Sequence, residues 1–351
     1  MRFLFDIVHP AHVHFFKHII RRLESRGHET RIVARDKDVT NALLDRLGFS
    51  YETVGRSHRK GLIGQGSELL RRDFALARVA RRFRPDLIAT RNPSGAQTGR
   101  LLGIRSVFDT DDGRGVGIHY WSAAPFAHVI TTPDCMDEDY GKKHVKFPGY
   151  KQSAYLHPNH FTPDPAVLSE LGVAPGERFF IARFVAMVAS HDTGEQGLTD
   201  EQKWQFLNRL RARGRVFISS EGALPSSMSE LRFPLPPDRM HDALAFADLV
   251  VGDSQSVAAE AAVLGTPSLR VSSWSGRQAY LNELEHRYGL NHSYKPNQLN
   301  EALAQLDRWL AEPKLRESMR ERHNQLLAEK KDIAIWYSDF LEARAPLDFG
   351  S

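Results

Sequence analysis

The chain has 351 residues, enough for two domains of ordinary size and a large core. Its 47 Lys and Arg against 43 Asp and Glu leave a formal charge of +4. There is no recognisable nucleic-acid motif, and the basic stretch has little aromatic interleaving, so nucleic acid is not an expected partner. The single cysteine, Cys135, excludes a disulfide framework and a thiolate metal site. No apolar run approaches transmembrane length. MRFLFDIV runs into His9-Pro10 with no basic leader or small-residue cleavage site, so a reducing cytoplasm is the expected home.

In chain order, Phe3–Val8 reads as a buried strand and His12–Ser25 as a helix stopped by Gly27. Thr30–Ala34 is a second strand, Val39–Leu47 a helix and Tyr51–Val54 a third strand. After a Gly-rich basic loop, Gly55–Gln65, comes LLRRDFALARVARRF over 69–83, apolar at helical spacing with arginines between. That helix reads first as packed on a core with a solvated basic face. The alternative is peripheral contact with an anionic membrane at its inner surface. Strands at Asp86–Thr90, Ser106–Asp109 and Val129–Thr132, with a helix at Gln97–Leu102, complete a βαβ rhythm and hence a parallel sheet covered on both faces. Phe147–Pro165, punctuated by Pro and Gly, reads as an interdomain connection. A second alternating series follows: strand Phe179–Phe184, helix Asp200–Arg213, strand Val216–Ser219, then Met240–Val271. Helices at Gln298–Ala311, Leu315–Leu327 and Ile333–Ala343 end the chain.

MHDALAFADLVVGDSQSVAAEAAVLGTPSLRV, over 240–271, is the most informative stretch. It reads as helix, buried strand, Ser-rich loop, helix, Gly-Thr-Pro stop and strand. An open helix N-terminus collects anions, because its first N–H groups lack partners and the helix dipole favours negative charge. Ser254, Gln255 and Ser256 could hold a diphosphate there. Glu260, four residues beyond Ser256 on the same face, could accept from ribose hydroxyls. The competing reading is an ordinary N-cap.

Two further loops leave strand C-termini, the edge where open α/β sheets bind ligands. The first carries His9, His12 and His14. His12 and His14 point to different helix faces and no carboxylate completes a ligand set, so a metal is not expected; a general base or hydrogen-bond donor is the alternative. The second, FDTDDGRGVG, crowds Asp109, Asp111 and Asp112. Repulsion could raise one pKa for acid/base work, the loop could hold a divalent cation, or the carboxylates could simply cap turns. Arg91-Asn92-Pro93-Ser94 is a weaker candidate for positioning substrate. Glu221, at the end of a strand, could contact a nucleotide or cap a turn. Gly-x-Gly-x-x-Gly does not follow the first strand, which argues against a dinucleotide oxidoreductase.

Met240–Val271 resembles the nucleotide-binding element of GT-B glycosyltransferases and UDP-N-acetylglucosamine 2-epimerases, at Ser254, Ser256 and Glu260. Gln255-Ser256 stands where that superfamily often has Gly-Gly. FDIVHPAHVHFFK and GYKQSAYLHPNHFTPDP resemble more closely a bacterial and archaeal family of unknown function, DUF354-like. The resemblance implies two Rossmann-like, doubly wound parallel-sheet domains (GT-B-like), with a C-terminal helix crossing back to the first. The domains would cover 1–160 and 161–330, with the helix in 331–351 anchored by Trp336, Tyr337 and Phe340. It implies a nucleotide-sugar donor, UDP-linked by expectation, and no obligatory cofactor; the basic helix at 69–83 points to a sugar or lipid-linked acceptor in surface polysaccharide or glycolipid synthesis. Arg183 and then His191 would face the diphosphate leaving group. An epimerase or hydrolase, and a non-catalytic nucleotide-sugar-binding protein, are the rival readings.

Overall fold

The computed structural model describes residues 1–36, 38–56, 62–184, 198–220 and 224–345, the side chains of 36, 38, 56, 62–67 and 116 apart. The chain divides into two compact units, Met1–His160 with Lys331–Ser351, and Phe161–Lys330.

The first unit begins β1 (Arg2–Ile7), α1 (Pro10–Ser25), β2 (Glu29–Asp36), α2 (Asp38–Arg46) and β3 (Tyr51–Arg56). It continues α3 (Leu62–Phe83), β4 (Leu87–Thr90), α4 (Pro93–Leu102), β5 (Arg105–Asp109), α5 (Ile118–Ala123), β6 (Val129–Pro133), β7 (His144–Phe147) and α6 (Ser153–Leu156). The strands form one parallel sheet in the order β3-β2-β1-β4-β5-β6-β7. Succession runs one way from β1 to β3 and the other way from β4 to β7, so the order reverses between β1 and β4. Right-handed crossovers then put α1 and α2 on one face and α3, α4 and α5 on the other. Helices on both faces explain why Phe3, Leu4, Phe5 and Ile7 are all buried with no alternation.

The second unit holds α7 (Ala166–Glu170), β8 (Phe179–Phe184), α8 (Asp200–Arg211), β9 (Arg215–Ser220), α9 (Met240–Phe246), β10 (Leu249–Gly252) and α10 (Gln255–Val263). It ends with β11 (Ser268–Val271), α11 (Ala279–His286), β12 (Asn291–Tyr294), α12 (Leu299–Ala311) and α13 (Leu315–Glu329). Its parallel sheet has the order β12-β11-β10-β8-β9 and reverses between β8 and β10. Its core gathers Phe179, Ile181, Phe217, Leu244, Val250 and Ala261. Each unit is thus a doubly wound α/β sheet with its switch point at the carboxyl ends of two named strands.

The last helix, α14 (Ile333–Arg344), belongs to the first unit. Its Tyr337 is fully buried, with ring centroids 5.2 Å from Phe15, 6.5 Å from Phe16 and 6.2 Å from Phe147. Trp336 and Phe340 stack on one another at 5.0 Å and are only half-buried. Asp332 caps the helix by accepting from Ile335 N–H at 3.1 Å and also holds His160 at 2.9 Å. Arg26, the residue that caps the end of α1, pairs with Asp339 at 2.7 Å and with Glu342.

One stretch departs from expectation. Phe147–Pro165 is not simply a connection: Tyr150, Gln152, Ser153, Ala154, Tyr155 and Leu156 are all buried in the first unit. Its prolines and glycine break helical periodicity without removing the residues from the core.

Candidate functional site

At the switch point of the first sheet, Asp6, next to last in β1, pairs in register with Thr90 of β4. Asp6 is fully buried and is held by Arg72 of α3, by Thr90 Oγ1 at 3.1 Å and by Asn92 Nδ2 at 3.3 Å. Arg72 also donates to the Val54 carbonyl at 2.7 Å, so one arginine of the basic helix points into the core rather than into solvent.

Beside this pair, Arg91 follows β4 and forms ion pairs with both Asp109 and Asp111. Lys151 pairs with the other oxygen of Asp111 at 2.5 Å. Thr131 Oγ1 donates to Asp109 at 3.0 Å and shares a hydrogen bond of 2.8 Å with Tyr337. The guanidinium of Arg91 lies 5.1 Å over the Phe15 ring. Asp109 and Asp111 are buried, whereas Asp112 is exposed. Burial alone would raise the Asp111 pKa, but Lys151 and Arg91 outweigh it and hold the carboxyl far below the usual range. The expectation of a raised pKa in this loop is therefore corrected for Asp111. Two cations from distant segments lie against it, so it stays ionised and acts as a fixed acceptor.

The three histidines differ in their surroundings, although the His9 and His12 rings lie 6.1 Å apart. His9 is exposed and caps α1, its Nδ1 accepting from Ala11 N–H at 3.2 Å. His14 lies against the Tyr155 ring at 5.2 Å. His12 has Arg91 and Lys151 in its surroundings. Burial first, then Arg91, lowers its pKa well below the ordinary value, so the ring is neutral at neutral pH. Val8 N–H lies 3.5 Å from Nδ1, which leaves Nε2 as the protonated, donating nitrogen. His119 reaches the Arg91 carbonyl at 3.2 Å.

At the switch point of the second sheet, Gly252 pairs with Arg183 in register. A Cβ on Gly252 would collide with the Arg183 carbonyl, so the close approach of β8 and β10 requires glycine there. Asp253 N–H then donates back to that carbonyl at 3.2 Å, and the chain turns into α10. Ser254 caps the helix, its Oγ accepting from Val257 N–H at 3.4 Å. Gln255 is half-buried and Ser256 exposed; their N–H groups, in the first turn, have no intrahelical acceptor. Glu260 is 9% exposed and pairs with His241 of α9 at 3.3 Å. Arg183 donates to Ser219 Oγ at 2.7 Å and, with Gly252, Ser254, Val257 and Ser268, lines a small pocket.

The second sheet thus gathers Arg183, Ser254, Gln255, Ser256 and Glu260 at one edge, and the first gathers His12, Asp109 and Asp111. His191 and Glu221 lie outside the described residues. Lys151 and His241 carried no signal in the sequence. The first sat in a stretch read as linker, and the second is one histidine opening a short helix.

The chain has the GT-B fold. It is similar to spinosyn forosaminyltransferase at a TM-score of 0.67 and 16% identity, over 99% of this chain and 100% of that one. Against spinosyn rhamnosyltransferase complexed with thymidine diphosphate the TM-score is 0.63 and the identity 14%, over 97% and 100%. UDP-GlcNAc 2-epimerase from Neisseria meningitidis, bound to UDP-GlcNAc, gives 0.69 at 10% identity, over 98% and 99%. Residues 1–151 match the family described as "Protein of unknown function (DUF354)", a span that takes in His12, Arg91, Asp109, Asp111 and Lys151. No curated protein matches the chain.

Proposed function

We propose that the chain transfers a sugar from a nucleotide donor, UDP-linked in the first instance, to a sugar or lipid-linked acceptor of surface polysaccharide or glycolipid synthesis. The observation that carries the reading is Glu260, nearly buried inside α10 and held by His241, behind a helix N-terminus that opens at the switch point of its sheet. The N–H groups of Gln255 and Ser256 suit a diphosphate, and the Glu260 carboxylate suits ribose hydroxyls. Arg183 stabilises the charge that develops as the glycosidic C–O bond breaks toward the diphosphate. In the first unit, neutral His12 donates to the acceptor or the sugar, while Asp111 and Asp109, clamped by Arg91 and Lys151, fix hydroxyl groups. As the acceptor oxygen bonds to the sugar, its proton passes to a carboxylate of the 109–112 loop, of which Asp112 is the exposed member. No obligatory cofactor or metal enters this reading. The similarity to proteins solved with thymidine diphosphate and with UDP-GlcNAc supports a nucleotide-sugar substrate.

The test is a thermal-shift series with UDP, thymidine diphosphate and UDP-sugars on the wild type and on Glu260→Ala. A ligand present at 100 times its Kd stabilises the folded state by about 2.7 kcal/mol. The wild type should shift with a uridine diphosphate ligand and the variant should not; absence of a shift with every nucleotide overturns the reading. The ion-paired carboxylates of the first unit favour one rival, an epimerase or hydrolase working on the sugar itself. Consumption of a UDP-sugar without acceptor would select it, and binding without turnover under any condition would select a non-catalytic binder.

A further inference from the structure

Among the described residues, the large apolar side chains that stand exposed all lie in the first unit. Four of them belong to two helices on one face of its sheet. Leu70 and Phe74 of α3 are 60% and 72% exposed, and Ile118 and Trp121 of α5 are 76% and 59% exposed. Met1, Val39, Leu101 and Phe126 are the others. Scattered single residues of this kind are ordinary, but two helices each presenting a neighbouring pair are not. Helix α4 lies between the two: Asp73 of α3 faces Ser94 in its first turn, and Gln97 donates to the Ser122 carbonyl of α5 at 2.7 Å. Phe74 and Trp121 therefore flank the first turns of α4. They stand toward the sheet end where β4 and β5 deliver Arg91 and Asp109.

Among the described residues of α3, the exposed charged side chains are all arginines. Leu70, Phe74, Arg78 and Arg81 follow one another at spacings of four, four and three, so they share a stripe of α3, with Arg71 adjoining. Arg71, Arg78 and Arg81 are exposed and have no ion-pair partner among the described residues. Arg82 is held by Glu52 and Arg72 by Asp6, so neither contributes. The opposite stripe, with Leu76, Val79, Ala80 and Phe83, is buried on the sheet together with Leu4 and Ile88. The helix is thus amphipathic twice over: its inner face makes the core, and its outer face carries aromatic and aliphatic groups followed by exposed arginines.

We propose that this face of α3 and α5 docks on an anionic lipid surface. Trp and Phe seat at the boundary of head groups and acyl chains, and arginines beside them meet the anionic head groups. No helix among the described residues is long and apolar enough to cross a membrane, so the contact is peripheral. The corollary that a membrane-embedded acceptor is met there rests on the transferase reading; the docking itself does not.

The experiment is co-sedimentation of the full chain with vesicles of phosphatidylcholine alone and of phosphatidylcholine mixed with phosphatidylglycerol, at low salt and at about 0.5 M salt. The wild type should pellet with the phosphatidylglycerol vesicles, less with phosphatidylcholine alone, and less at high salt. Replacing Phe74→Ser and Trp121→Ser together should cut the bound fraction about tenfold, with the circular-dichroism melt and any nucleotide-induced thermal shift unchanged. Separately, Arg78→Glu with Arg81→Glu should abolish the preference for anionic vesicles. Recovery of the wild type in the supernatant with both vesicle types overturns the proposal, as does undiminished binding of the Phe74/Trp121 variant. Self-association that this variant loses, without vesicle binding, overturns it in favour of a second copy as occupant. The UDP thermal shift reads the donor site independently, so the two proposals fail separately.

Discussion

At the scale of single residues, the neutral state of His12 follows from burial and from the cations near it. The unfolded chain takes up a proton at this position below about pH 6.5, whereas the native state refuses it. Native stability should therefore be unaffected by this group above pH 6.5 and fall as pH drops below that value. Titration of the imidazole nitrogens by NMR should show no protonation at pH 6, and His12→Gln should flatten the acid limb of a urea-stability profile; a normal titration near 6.5 would refute the assignment. The position of the Asp109–Asp112 loop was legible, because a strand followed by a Gly-rich turn marks the ligand edge of an α/β sheet. Its charge state was not. Arg91 comes from another strand end and Lys151 from a stretch read as linker, and ion pairs between distant segments leave no local periodicity. The Glu260–His241 pair was hidden for the same reason.

At the scale of elements, α10 shows two demands on one short segment. Ser254 is committed to the helix as its cap, while Ser256 is exposed and makes no cap bond. Ser254→Ala should cost about 1 kcal/mol of stability, read as a lower urea midpoint. Ser256→Ala should stay within about 0.5 kcal/mol yet weaken nucleotide binding, and equal stability losses in the two would assign both hydroxyls to the fold alone. Central elements were legible: β8 is buried but for half-buried Arg183, and α10 starts at a Ser cap and ends before Gly265-Thr266-Pro267. The elements that escaped are α5, β7, α6, α7, α11 and β12. The strands β7 and β12 are sheet edges, half exposed, so His144–Phe147 and Asn291–Tyr294 carry the polar residues of a solvated border and read as loop.

At the scale of the whole molecule, the first unit is discontinuous in sequence: its core is closed by α14, which the chain reaches only after building the second unit. Removing 331–351 strips Tyr337 from Phe15, Phe16 and Phe147 and takes the Asp332 carboxylate from His160. Loss of one such buried aromatic typically costs about 3–5 kcal/mol, a large part of the 5–15 kcal/mol that holds an ordinary domain together. Calorimetry of the truncated chain should show the first unit's transition lowered by many degrees or absent, with the second unit's retained; an unchanged thermogram would mean α14 is dispensable. The same discontinuity bears on birth at the ribosome. A chain emerges from its amino end, and domains usually fold in that order. Here the order inverts. The second unit can complete itself as soon as Lys330 is free, while the earlier-made half waits with the face around Phe15, Phe16 and Phe147 uncovered until the final helix is released.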